Sequence, residues 1–213
     1  MKGLFSPDSK FMTTMNSLCD LVILNFIYIV TCIPIFTIGA ATTALYTVCF
    51  RIGTPREQGV FKSYFRAFAE SFKQSTILWL PILILGLVSA ANVVIFRGMQ
   101  GSIRYAFLLF AVAEVIILLV SAYTFPLISK FDNSSISTIR NALFLSIGYF
   151  PRSAIVTVIN IFPIALLLLD TLLFLQTGLI WVMIYFSAGA YINTRVLKKV
   201  FAPYLGDEEE EEK

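Results

Sequence analysis

TILWLPILILGLVSAANVVIF, residues 76–96, is a run of 21 residues without a charge. At the helical rise that length covers ~31 Å, the thickness of the hydrocarbon layer of a bilayer. Its interior must satisfy every backbone amide by itself, which in lipid only a helix or a closed barrel does. The run therefore reads as a membrane-crossing helix, with Trp79 near one end as an interface residue.

Working outward, the same pattern recurs. Tyr105 to Ser129, Ala154 to Leu175 and Leu179 to about Val196 are further apolar runs. Asn16 to Ile33 is another, and it meets Pro34, where the sequence reads PIFTIGAATTALYTVCF. Pro34 and Gly39 argue against one straight helix, so a break is expected there. Thr37 to Phe50 is apolar and rich in small residues but short for a crossing. It is either a second, tightly packed span or a re-entrant segment buried in protein. With 58% hydrophobic and 14% charged residues, the 213-residue chain has more apolar surface than a soluble domain could hide. The fold class is all-α: a polytopic transmembrane bundle of about six spans, with five as the alternative.

Charge sets the expected orientation. Between the early runs lies RIGTPREQGVFKSYFRAFAESFKQ, with five basic and two acidic residues; GTPRE at 53–57 is read as a turn. Phe61, Phe65, Phe68 and Phe72 fall on one helical face and Lys62, Arg66 and Lys73 elsewhere, so residues 56–74 read as an amphipathic cytoplasmic helix lying on the membrane surface. A coupling surface for a partner protein is the sharper reading of the same stretch. KFDNSSISTIRNALFLSIGYFPR is a second basic, partly amphipathic connector. With six spans and both termini inside, fourteen of the sixteen basic residues are cytoplasmic, Arg97 and Arg104 being the exceptions; with five spans, twelve are. Six fits better. Residues 1–206 are then one helical domain and Asp207 onward an acidic, solvated tail; without that tail the chain carries 15 basic and 7 acidic residues. The polar N-terminus around Lys2, Pro7 and Lys10 shows no cleavage signal, so no removable signal peptide is expected.

Chemistry-bearing residues are sparse. Histidine is absent, and Cys19, Cys32 and Cys49 match no metal or redox spacing and read as packing residues. There is no phosphate-binding GxxxxGK[ST], no HExxH and no GxSxG. No catalytic residue, metal or cofactor is predicted, no enzyme activity is expected, and the chain cannot by itself drive ATP-powered transport. Glu114 stands out because it falls about ten residues into its helix, near the bilayer midplane, where a carboxyl is costly. The plain reading is a hydrogen bond between helices, with Asn160 as partner; the sharper one is proton or cation coupling. Asp170 and Asp20 read as caps near helix ends, and Asn25, Asn92, Asn160 and Asn193 as hydrogen bonds between helices.

PIFTIGAATTALY (34–46), FKSYFRAFAESFKQSTILWL (61–80) and IRNALFLSIGYFPRSAI (139–155) together resemble the YesL-like family of bacterial membrane proteins of unknown function. Ala40, where proline often follows TIG, and the acidic tail depart from the pattern. The resemblance implies a multi-pass protein of the bacterial cytoplasmic membrane that accompanies ABC-type importers of plant-polysaccharide oligosaccharides. It assigns no binding residues. Physically, Gly39 and its alanines permit a close helix contact, while Thr37, Thr42 and Thr43 can bond across it or to carbonyls freed at Pro34; a substrate-lining broken helix is the alternative.

The functional expectation is an accessory or regulatory component of carbohydrate uptake that docks on importer subunits through Arg66, Lys73 and their neighbours. A small ion-coupled secondary transporter using Glu114 is the runner-up. Lipid, importer subunits and a second copy of the chain are the expected partners, and nucleic acid is not.

Overall fold

A computed structural model describes residues 10–52 and 59–204, with side chains from Thr14 onward. The GTPRE turn, the acidic tail and the N-terminal Lys2, Pro7 and Lys10 side chains lie outside the described residues. Every described element is helical. Among the described residues the protein is all-helical, with four helices long and apolar enough to cross a membrane.

Helix α1 (Lys10–Cys32) stops where expected. Pro34, lacking an amide hydrogen, cannot continue it, and its ψ of 118° turns the chain out of the helical path. A short 3-10 turn, Ile35–Thr37, follows, and the Thr37 hydroxyl lies 2.6 Å from the carbonyls of both Thr31 and Pro34. That side chain gives a hydrogen-bond donor to carbonyls at the helix end, where the turn at Pro34 leaves no helical amide to reach them. Helix α2 (Ile38–Arg51) then runs for 14 residues, about 21 Å, and is buried on nearly every side.

Helix α3 (Val60–Arg97) corrects the reading of 56–74 as a separate surface helix. It is one unbroken rod of 38 residues, ~57 Å long, because nothing around Gln74 and Ser75 interrupts the ladder and Pro81 is accommodated inside it. The face it buries also differs from the phenylalanine stripe. Tyr64, Ala67, Ser75 and Leu78 are buried and Phe68 packs against the core, whereas Phe61 is 63% and Phe65 40% exposed. The buried stripe is offset by one position from the one that the aromatic residues suggested.

Gly101, with φ of 79°, turns the chain toward α4 (Ala106–Lys130). The second basic connector is itself helical: α5 (Ser135–Gly148) starts at Ser134, whose hydroxyl accepts from the Ser137 amide. Helix α6 (Phe150–Leu169) carries Pro151 in its first turn and ends at Asp170, which caps the short α7 (Thr171–Gln176) by accepting from the Leu173 amide at 3.0 Å. The expected span 154–175 is therefore two helices, and Asp170 is the exposed cap that its position predicted.

The last apolar run is also divided. After α8 (Gly178–Ile180) comes a π-helical turn, Trp181–Tyr185, and then α9 (Phe186–Phe201). The π turn is held by Asn25 of α1. Its Nδ2 donates to the carbonyls of Trp181 (3.0 Å) and Val182 (2.7 Å), and its Oδ1 accepts from the Ser187 amide (3.0 Å). A widened turn leaves backbone groups short of partners, and one buried carboxamide satisfies three of them.

The core gathers α2, the first half of α3, the second half of α4, and α9. Basic residues collect at the end where these elements meet: Lys130 sits 5.4 Å from the Phe50 ring, and Gln74 donates to the Asn133 carbonyl. Toward the other end, α3 and α4 pair with each other through Ser89, which donates to the Phe110 carbonyl, and the stacked Phe96 and Phe110 rings.

Candidate functional site

Three of the singled-out residues meet at one place. Pro34 ends α1, Thr37 closes the break, and Gly39 lets α2 approach α3 so closely that a Cβ there would lie 2.6 Å from Trp79 Cβ and 2.7 Å from the Ser75 carbonyl. The Trp79 indole donates to the Ile35 carbonyl at 2.8 Å, and Thr43 and Ser75 share a hydrogen bond of 2.8 Å. The small residues of TIGAATTALY thus make a helix contact, and Tyr64 completes it with bonds to Thr31 (2.6 Å) and the Ala41 carbonyl (3.4 Å). Tyr64 lies one position off the stripe of Phe61, Phe65, Phe68 and Phe72, so the phenylalanine pattern does not mark its hydroxyl.

Asn160 belongs to a different constellation. It is not the partner of Glu114; its Oδ1 accepts from Asn193 Nδ2 at 2.9 Å, and the same Nδ2 donates to the Tyr46 hydroxyl at 3.1 Å. Asn193 is fully buried, and its own Oδ1 has no partner. Beside this triad opens a cavity of about 440 Å³ within the bundle, walled by Tyr28, Tyr46, Trp79, Phe125, Asn160 and Tyr185 among others. The Tyr28 and Thr42 hydroxyls, 3.4 Å apart, add a second polar pair to its wall, and Tyr185 donates to the Ile159 carbonyl at 2.8 Å. Asn25 and Asn193 are interhelical bonds as anticipated. Asn92, by contrast, donates to Val88 of its own helix.

Glu114 lies outside that cavity. At its level α4 packs on α3, and a Cβ built on Gly86 would stand 3.9 Å from Glu114 Oε1, an ordinary contact. Its Oε2 is buried without a hydrogen-bond partner. Arg66 and Lys73 are exposed on the basic half of α3, Arg66 paired with Glu70 one turn on at 2.9 Å. An exposed pair of this kind adds little stability. The seven singled-out residues therefore fall into four places, not one.

The first of those places is what comparison recognises. Residues 21–93 match a family described as a protein of unknown function, DUF624. The DUF624 match runs from Leu21 in α1 to Val93 in α3, so it holds the Pro34 break and the Gly39–Trp79 contact, while Glu114, Asn160 and Asn193 lie beyond it. Curated proteins and solved structures give no match. Among the described residues no group of His, Cys, Asp or Glu could hold a metal ion.

Proposed function

We propose that this protein is a non-catalytic accessory component of carbohydrate uptake in the bacterial cytoplasmic membrane, docking on subunits of an ABC-type importer through the basic half of α3. One observation carries the docking part. Phe61 and Phe65, 4.7 Å apart, stand exposed at the start of a rigid helix beside Lys62 and Arg66, while the neighbouring Tyr64 and Ala67 anchor that helix in the core. Aromatic rings flanked by cations on a fixed support are the composition of a protein contact. The carbohydrate context rests on the YesL-like resemblance, and the absence of a phosphate-binding loop from the sequence is consistent with a role beside an ATP-driven machine.

The test is affinity purification of the tagged chain from native membranes in mild detergent, with quantitative identification of what accompanies it. An importer subunit at stoichiometric level is expected, falling at least tenfold for the Phe61→Ala/Phe65→Ala variant with no change in the thermal unfolding midpoint. A chain that emerges alone, or equal capture by the variant, would overturn the proposal.

A second reading has its own observation, the unpartnered buried Oε2 of Glu114. As a coupling site for protons or cations, it predicts that Glu114→Gln abolishes ion-driven uptake by the reconstituted protein. Under the docking reading the same variant leaves partner capture intact.

A further inference from the structure

The 440 Å³ cavity contributes nothing to docking through α3, and its walls describe what it would hold. We infer that it is a binding site for an uncharged amphiphile, whose hydroxyl-bearing end meets Tyr46, Thr157 and Asn160 while its apolar body lies among Trp79, Phe125 and Tyr185.

Three features lead there. The volume falls within the range of small-molecule sites, far above what one or two waters need. No charged side chain is among the residues lining it, so an ionic headgroup would enter a low-dielectric space with nothing to neutralise it. Finally, its polar wall is unfinished. Asn160 is exposed on the cavity wall, and behind it the fully buried Asn193 has an unpartnered Oδ1; the Thr157 hydroxyl on the same wall is likewise buried without a bond. Buried polar groups are nearly always paired, so unpaired ones grouped beside a cavity mark where a ligand's hydroxyls would bond. Amide and hydroxyl groups accept and donate to neutral hydroxyls, and the aromatic wall suits rings and alkyl chains.

Helices from both halves of the chain build the wall: α1, α2 and α3 contribute Tyr28, Tyr46 and Trp79, and α6 contributes Asn160. A ligand here would therefore bridge the DUF624-matching part to the remainder.

Trp79 is the reporter. The chain has two tryptophans, and Trp181 is not among the lining residues, so Trp181→Phe leaves a single indole at the cavity wall. The full chain carrying that change, in phosphatidylcholine nanodiscs, would be titrated with an alkyl β-glucoside brominated in its chain while Trp79 emission is followed. Saturable quenching is expected, reversed by the unbrominated glucoside but not by sulfate or trimethylammonium amphiphiles of equal chain length. Asn160→Leu should raise the apparent dissociation constant about tenfold, roughly the loss of one good neutral hydrogen bond. Ser121→Leu, which adds bulk on the α4 wall and leaves the triad untouched, should weaken binding as well. Quenching of the parent that rises linearly with lipid mole fraction, or that is independent of headgroup, would mean that acyl chains alone fill the space and would overturn the inference. Because the parent titration decides by itself, misfolding of either variant leaves the result readable.

Discussion

Helix α2 and the paired arms of α3 and α4 beyond Trp79 are both apolar, yet they are held by different physics. In α2, eleven of fourteen residues are buried, and its contacts are glycine, alanine and hydroxyl groups at short range. Along the arms, Leu85, Val94 and Leu109 face outward, and the arms meet mainly each other. Apolar area alone cannot drive one helix onto another in lipid, because the tails are as apolar as leucine. The inner helix is therefore fixed by fit and hydrogen bonds, and the arms by length and composition. Hydropathy is a good guide to the second kind of helix and a poor one to the first.

The sharpest way to break this contrast is to place the same methyl group in both regions. Gly39→Ala drives a Cβ into Trp79 and the Ser75 carbonyl, both rigidly held, and should destabilise by about 3 kcal/mol. Gly86→Ala meets only ordinary contacts at 3.9 Å and should stay within about 0.5 kcal/mol of the parent. Thermal unfolding of the two variants in detergent measures the difference, and equal midpoints would remove the distinction between the regions. Next in size, Asn25→Leu strips the π turn of three hydrogen bonds and should cost about 2 kcal/mol, read in the same assay. If that variant unfolds like the parent, the turn is held by packing and not by the carboxamide. The smallest effect is expected for the Thr43–Ser75 bond: a double-mutant cycle with Thr43→Val and Ser75→Ala should give a coupling of about 0.6 kcal/mol.

Legibility in the sequence follows the same division. The Pro34 break, the bonding role of Thr37, the packing role of Gly39 and the cap at Asp170 were all readable, because each depends on the chemistry of one residue and its near neighbours. The assignment of Glu114 to Asn160 failed because both lie in apolar runs at similar depth, and depth does not say which helices touch. The phenylalanine stripe of α3 misled for a related reason. Periodicity marks a face, but Tyr64 with Ala67 was the face with partners waiting in α1 and α2.

By itself the amino-acid sequence determined that this protein is helical and suited to a membrane, that its first helix breaks at Pro34, and that its basic residues favour one end, because these follow from solvent, backbone chemistry and charge. Only the tertiary structure decided that α2 is enclosed, that α3 is one rod, that Asn25 holds a π turn in a helix more than 150 positions away, and that Asn193 ties together Tyr46 and Asn160 at the wall of a cavity. Those facts depend on which helices meet at which height, and hydrogen bonds between distant segments leave no periodic trace along the chain.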